Sequence, residues 1–225
     1  MIQIADKAKC SGCHACYTTC PAKCISMEKD QEGFRYPVVN EDACIQCGLC
    51  ERICPLLNHN MVSDSVAPLA YAAVNQNKEV RRESSSGGVF TLVAELILDR
   101  GGVVFGAAFD EQFRVRHVAV HSKLELSRLR GAKYVQSVIG DAYLNAKMFL
   151  DQGQWVLFTG TPCQIGGLMA YLRQDYDKLI CQDIICHGVA SPMVWDKYKD
   201  HLEHCAGAKL KKMSFSDKVD GWNAY

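Results

Sequence analysis

The residues CSGCHACYTTCP at 10–21 and CIQCGLCERICP at 44–55 decide how this chain is read. Each is a run Cys-x2-Cys-x2-Cys-x3-Cys-Pro: Cys10, Cys13, Cys16 and Cys20 ahead of Pro21, then Cys44, Cys47, Cys50 and Cys54 ahead of Pro55. Three cysteines two residues apart can wrap one iron-sulfur cubane, because a tight turn brings their sulfurs onto a shared centre. The fourth, followed by proline, leaves in another direction and reaches a neighbouring cluster. The spacing therefore predicts two 4Fe-4S clusters with crossed ligation, one on Cys10, Cys13, Cys16 and Cys54, the other on Cys44, Cys47, Cys50 and Cys20.

This is the pattern of a bacterial-type ferredoxin, so electron transfer is the starting expectation. Paired Cys-x2-Cys units also build structural zinc sites, but zinc motifs rarely carry three cysteines in series followed by Cys-Pro, and here the run occurs twice. A disulfide framework fits less well: no charged start leads into an apolar stretch and cleavage site, and cytosolic cysteines stay reduced. Cys24 sits just past a ligand position and reads as a small buried packing residue.

Nine of the 13 cysteines lie before residue 55, and Cys163, Cys181, Cys186 and Cys205 are scattered through the rest of the 225 residues. That asymmetry marks two modules: a two-cluster ferredoxin domain over 1–60 of α+β class, a linker at 61–69 within the polar, unpatterned stretch from Pro55 to Pro68, and a second domain over 70–225. Lys and Arg number 25 and Asp and Glu 25, which gives no electrostatic case for nucleic acid or an anionic membrane. No apolar run approaches the ~20 residues that span a bilayer. The expected setting is cytoplasmic, without a membrane span.

In the second module Leu69 to Val74 reads as a short strand. Ser84, Ser85, Ser86, Gly87 and Gly88 then lead into a helix over Val89 to Arg100, with an apolar stripe at 89, 90, 93, 96 and 97, the serines as N-cap candidates and Gly101 as the stop. Val103 to Phe109 and Val115 to Val120 read as antiparallel strands. Helices follow over Asp141 to Leu150 and Gln164 to Leu172, strands at Trp155 to Phe158 and Leu179 to Cys186, and a last helix over Met193 to His204 behind Ser191-Pro192. Alternating strands and helices predict an α/β domain with a mixed sheet.

Two strand-to-helix junctions could carry chemistry: Thr159-Gly160-Thr161-Pro162-Cys163 and Cys186-His187-Gly188. If their strands are parallel neighbours, both loops emerge at the carboxyl edge of the sheet, where open α/β folds bind ligands. Cys163 and Cys186 would then converge. A helix N-terminus favours the thiolate of Cys163, for metal ligation or redox work. Cys181, roughly 16 Å from Cys186 along an extended strand, and Cys205 read as ordinary residues. His187 alone reads as structural. The segment 84–88 offers hydroxyl and backbone donors that could cradle a phosphate or the polar edge of a flavin, and is equally a serine-rich helix cap. Arg130-Gly131-Ala132-Lys133-Tyr134 could add cations and an aromatic face, or be a solvated turn.

Taken together, the double cysteine run, SSSGGVF, LRGAKYVQS, FTGTPCQIGGL and ICHGVASPMVW resemble the beta subunits of the coenzyme F420 hydrogenase/dehydrogenase family, from about Cys10 to the end of the chain. The resemblance implies an iron-sulfur flavoprotein oxidoreductase. FAD would lie in the α/β domain, between the clusters and a small-molecule electron acceptor or donor such as F420, with a redox partner protein or ferredoxin on the other side. It implies that Ser84, Ser85, Ser86, Gly87, Gly88, Lys133, Tyr134, Thr159, Gly160 and Thr161 contribute to the flavin pocket. Cys163 and Cys186 become candidate catalytic or redox residues; a third cluster would need two ligands besides them. Members of the family continue well beyond the Cys-His-Gly motif, so the ending Gly221-Trp222-Asn223-Ala224-Tyr225 is expected to leave the flavin domain incomplete. The rival expectation is a ferredoxin-type adaptor with no flavin or substrate site of its own.

Overall fold

The computed structural model of the chain describes residues 1–4, 6–58 and 67–215. Most of the connector from Pro55 to Pro68 and the ending Gly221 to Tyr225 lie outside the described residues.

The N-terminal module is two short helices and a hairpin. Helices α1 (Ala15–Thr19) and α2 (Leu49–Arg52) each begin inside a cysteine run. Between them β1 (Ile25–Lys29) and β2 (Arg35–Val39) pair antiparallel, Ile25 opposite Val39 and Lys29 opposite Arg35. Asp30 closes the turn by accepting from the N–H groups of Glu32 and Phe34 at 3.0 Å each, the local bonding that makes aspartate a turn former. The core here is largely sulfur: Cys16, Cys24, Cys50 and Cys54 are buried with Ile2 and Ile25. A domain this small with so few aliphatic side chains ordinarily needs a metal or a partner to be stable.

The second module is a four-stranded mixed sheet in the order β4-β3-β5-β6 with helices on both faces. After α3 (Lys78–Arg82) and α4 (Val89–Asp99), β3 (Val103–Phe109) and β4 (Val115–Val120) form the expected hairpin, Val104 opposite Val120 and Phe109 opposite Val115. Next come α5 (Ala142–Asp151), β5 (Val156–Gly160), α6 (Pro162–Leu172), β6 (Leu179–Asp183) and α7 (Pro192–Ala206). Strands β3, β5 and β6 run parallel to one another. Central β3 is apolar along nearly its whole length because it is covered on both faces. On one face α4 packs Ala94 and Ile97 against Val104, Ala108 and Leu157. On the other, α5 and α6 bring Tyr143, Ala146 and Leu168 onto Phe105 and Phe158, whose rings lie 5.6 Å apart. Each such fully buried large side chain contributes about 1.5–3 kcal/mol.

Four readings need correction. Leu69 to Val74 is not a strand. It is held at its end, where the N–H of Asn75 donates to Gly87 O at 2.7 Å, but it joins no sheet, and Leu69, Tyr71 and Val74 are exposed. The N-cap of α4 is Gly88, left-handed at φ 77°, rather than a serine, and Ser84 bonds backward to Val80 O at 2.7 Å. Of the expected α4 stripe Ile97 is buried and Phe90 and Val93 pack partly against the core, but Leu96 faces outward, and Thr91 and Ala94 are buried in addition because their small side chains let the helix approach the sheet closely. The strand expected to run from Leu179 to Cys186 stops at Asp183, where backbone pairing with β5 ends at Gly160.

Candidate functional site

The two cysteine runs fold alike. In the first, Gly12 (φ 62°) and His14 (φ 65°) are left-handed on either side of Cys13; in the second, Gln46 (φ 52°) and Gly48 (φ 68°) flank Cys47 at the same offsets. Two of these four are not glycine, and the left-handed region costs such residues roughly 1–2 kcal/mol, strain of the kind found where a backbone must wrap a site. The turns aim backbone N–H groups at sulfur: Gly12 toward Cys10, Ala15 toward Cys13 and Tyr17 toward Cys16.

Each run encloses a space. Cys10, Cys13, Cys16 and Cys54 line one cavity, walled by Ile2 and Leu56, among others. Cys44, Cys47, Cys50 and Cys20 line a second, together with Cys24. The fourth cysteine of each run thus lies in the cavity of the other run, the crossed arrangement expected from the sequence. Among the described residues no three His, Cys, Asp or Glu side chains meet around a point that a single metal ion could take. Four thiols spread around a cavity suit a cubane, which needs one ligand at each of four irons. Burial pushes the thiols of Cys10, Cys13 (to about 11) and Cys16 up, so loading this cavity releases protons.

The first cavity is wedged against the α/β domain. Gly12 has no room for a side chain: a Cβ there would stand 2.7 Å from both Arg35 O and Gln136 Nε2. Gln136 in turn brackets β2, accepting from the N–H of Arg35 at 2.9 Å and donating to its carbonyl at 3.4 Å. The hydroxyl of Tyr143, a fully buried residue, lies 2.9 Å from Cys13 O and 2.7 Å from Gln164 O. Ala15 and Ile53 pack on Ala170 of α6, and Arg173 donates to Thr19 Oγ1 at 2.7 Å. Lys29 pairs with Asp196 of α7 at 3.7 Å. Cys163, in the first turn of α6, therefore faces the same junction, close enough for its charge to raise the thiol pKa values of Cys10 and Cys13.

The segments expected to hold a flavin gather at one edge. Strands β5 and β6 end there, so the loops carrying Thr159 to Cys163 and Cys186 to Gly188 leave from it. Helix α4 returns along β3 in the opposite direction, so its N-terminus, with 84–88, lies at that edge too. Ser85 Oγ accepts from the N–H of Ala132, joining 84–88 to the Lys133-Tyr134 segment. That segment also meets the last loop, Gln136 N–H to Ala190 O and Ala190 N–H to Tyr134 O, both 3.0 Å. Much of the polar capacity is already used internally. The Lys133 ammonium donates to the carbonyls of Arg128, Leu129 and Arg130 at 2.9–3.2 Å, and burial lowers its pKa to about 8. Thr159 donates to Phe105 O at 2.9 Å, and Thr161 forms a capping box with Gln164. Tyr134 is half-exposed, edge-on to Phe215.

Cys163 and Cys186 share the sheet edge without sharing an environment. Cys163 lies half-buried with its sulfur 3.0 Å from Thr161 Oγ1, whereas Cys186 is exposed in the loop past β6. Cys181 packs against the core, burial pushing its thiol to about 11, and Cys205 is exposed on α7. Three residues that sequence reading passed over belong to this region: Gln136, Tyr143 and His117. His117 is buried between Ser137 Oγ at 2.8 Å and Thr159 O at 3.1 Å, and stacks on Phe158 at 5.4 Å. Desolvation lowers its pKa to about 4. Its inward position in the alternating strand VRHVAV was the one available signal.

An iron-sulfur module joined to a mixed α/β sheet through its first cysteine cavity defines an iron-sulfur electron-transfer protein. Comparison with known families agrees. Residues 9–57 match the 4Fe-4S dicluster domain, residues 70–143 the N-terminal part and 153–224 the C-terminal part of the coenzyme F420 hydrogenase/dehydrogenase beta subunit. The last two together cover more than half of the chain, which belongs to that family. It is 24% identical over 196 residues to the F subunit of the F(420)H(2) dehydrogenase of Methanosarcina mazei, covering 80% of this chain and 55% of the relative. It is 46% identical over 56 residues to the I 2 subunit of the NADH-quinone oxidoreductase of Geobacter metallireducens, covering 23% of this chain and 43% of that one. A chain of the F420-reducing NiFe hydrogenase complex of Methanosarcina barkeri superposes with a TM-score of 0.48 at 19% identity, covering 62% of this chain and 52% of that chain. The chain spans about half the length of these curated relatives. Among the described residues no helix is long and apolar enough to cross a membrane.

Proposed function

We propose that this chain is an iron-sulfur flavoprotein oxidoreductase that passes electrons between two 4Fe-4S clusters and a two-electron small-molecule acceptor or donor, such as coenzyme F420, through FAD at the carboxyl edge of its sheet. The observation that carries the reading is the wedge between the first cysteine cavity and that edge, through Gly12 against Gln136 and Cys13 against Gly167 and Tyr143. Cys10, Cys13, Cys16 and Cys54 would hold the near cluster and Cys44, Cys47, Cys50 and Cys20 the far one. A redox partner protein would deliver or take electrons at the far cluster, where Cys47 is exposed. When bound, FAD supplies the exchange between one-electron and two-electron chemistry.

The chain's own groups at the edge fit such a ligand by position. The N-termini of α4 and α6 favour an anionic diphosphate, with Gly87, Gly88 and Gly160 allowing its close approach to the backbone. His117, held neutral by burial, fixes the loop at Thr159 without adding charge. Cys163 is the side chain between loop and near cluster, in a positioning or redox role.

One observation favours a second reading, an electron-transfer adaptor without a flavin: Ser84, Ser85, Thr159 and Lys133 are already hydrogen-bonded within the protein. The two readings separate on flavin retention. Protein reconstituted anaerobically with iron, sulfide and FAD is desalted and titrated with dithionite. Flavin that stays with the chain and bleaches together with the clusters supports the flavoprotein; flavin lost on desalting while the clusters still reduce supports the adaptor.

A further inference from the structure

Five cysteines line the second cavity, and the fifth is Cys24. Its sulfur lies 3.4 Å from that of Cys20. The approach is built into the backbone. A reverse turn closes with Lys23 N–H to Cys20 O at 3.1 Å, Lys23 is left-handed at φ 50°, and the carbonyl of Cys24 accepts from Asn40 N–H at 2.8 Å as the chain enters β1. Cys24 is buried while Cys20 is partly open. The Cys44 thiol is also within hydrogen-bonding reach of Cys24, but it belongs to the other run, whereas Cys20 and Cys24 stay tethered by three intervening residues whatever that run does.

We propose that Cys20 and Cys24 are a redox pair that closes to a disulfide when a peroxide strips the cluster from the second cavity, and reopens by exchange with a dithiol reductant, which is itself oxidised to a disulfide, so that the cluster can be rebuilt. This rests on the assignment of Cys20 to that cluster. Once released, the more accessible Cys20 thiol is oxidised by hydrogen peroxide: the O–O bond breaks, Cys20 becomes a sulfenic acid, and one water leaves. Cys24 then attacks the Cys20 sulfur, the S–O bond breaks, the S–S bond forms, and the thiol proton leaves with hydroxide as a second water. Two thiols have lost two electrons and peroxide has gained them. The sulfurs need only close from 3.4 Å to about 2.05 Å. Without Cys24, the sulfenic acid is exposed to further peroxide and the irreversible sulfinic acid.

The test uses the cluster-loaded full chain, with iron and the visible spectrum recorded first, so that a missing second cluster is seen as such and separated from failure of the thiol pair. After peroxide, alkylation and trypsin, cleavage behind Lys9, Lys23 and Lys29 leaves Cys20 and Cys24 on different peptides, 10–23 and 24–29, the latter with a single cysteine. The expected result is 24–29 joined to 10–23 through Cys20, released by dithiothreitol, with iron returning to its starting level on reconstitution. Cys24→Ala is expected to carry the same iron before peroxide, to show Cys20 as sulfinic acid afterwards, and not to recover its second cluster. An alkylated Cys24 in peroxide-treated wild type, or Cys24 joined to Cys44, would overturn the proposal even if Cys24→Ala failed to fold.

Discussion

Replacing Gly167 with alanine adds one methyl where α6 meets the first cysteine run. The new Cβ would stand 2.8 Å from the Tyr143 hydroxyl, 3.0 Å from Cys13 O and 3.2 Å from Cys13 Cβ. Two of these neighbours belong to Cys13 itself, so relief means moving the wall of the cavity. Overpacking of this kind costs about 1–3 kcal/mol, and displacing the buried hydroxyl from the carbonyls it lies against breaks its hydrogen bond, about 1–3 kcal/mol more. Alanine returns about 1 kcal/mol of helix propensity. The net expectation is a loss of about 1–5 kcal/mol, with iron falling in the first cluster and not in the second. Gly166, one residue earlier in the same helix, has nothing within 4 Å of its would-be Cβ. There the propensity gain stands alone, and Gly166→Ala should stabilise by about 1 kcal/mol. Anaerobic urea titrations of both variants beside wild type, followed by circular dichroism and by cluster absorbance, read the two signs. Shifts in the same direction for both glycines would refute the idea that α6 bears on Cys13.

Gln136→Ala removes the bracket on Arg35, leaving a partly buried N–H without its acceptor; a loss of about 1–3 kcal/mol is expected from the urea midpoint. A pH series checks His117. Its folded pKa is about 4, below the ordinary 6.5, so on acidification the unfolded chain takes up a proton that the folded one refuses. Stability should be unaffected by this group above about pH 6.5 and fall between about 6.5 and 4, at most about 1.4 kcal/mol per pH unit, with a shallower slope in His117→Gln. Cys181→Ala and Cys205→Ala should leave the iron count unchanged, Cys181→Ala losing a little stability from the core it packs against.

What the sequence made legible was what is local. The cysteine spacing anticipated which cavity each fourth cysteine lines, Cys20 with Cys44, Cys47 and Cys50, and Cys54 with Cys10, Cys13 and Cys16. Strong apolar patterns placed β3 at Val103–Phe109 and β4 at Val115–Val120 with their bounds intact. Illegible were the features that depend on a partner far along the chain. Leu69 to Val74 has the composition of a strand but no ladder to join. Tyr143 reaches Cys13 across 130 residues and Gln136 reaches Arg35 across 101, and no periodicity announces either bond. The edge loops were identified from their composition, yet composition could not say that Lys133 spends its ammonium on three carbonyls, or that β6 ends early enough to leave Cys186 in solvent.

The central claim, that each cavity draws its fourth ligand from the other run, is tested most directly by two double variants measured for iron and for the spectrum of the reduced clusters. Cys10→Ala with Cys54→Ala strips two ligands from one cavity, so about four irons and one unaltered four-iron signal should remain. Cys10→Ala with Cys20→Ala takes one ligand from each cavity, so neither cluster should keep its wild-type signal. An unaltered cluster in the second pair and none in the first would mean that each run ligates its own cluster, and would contradict the account.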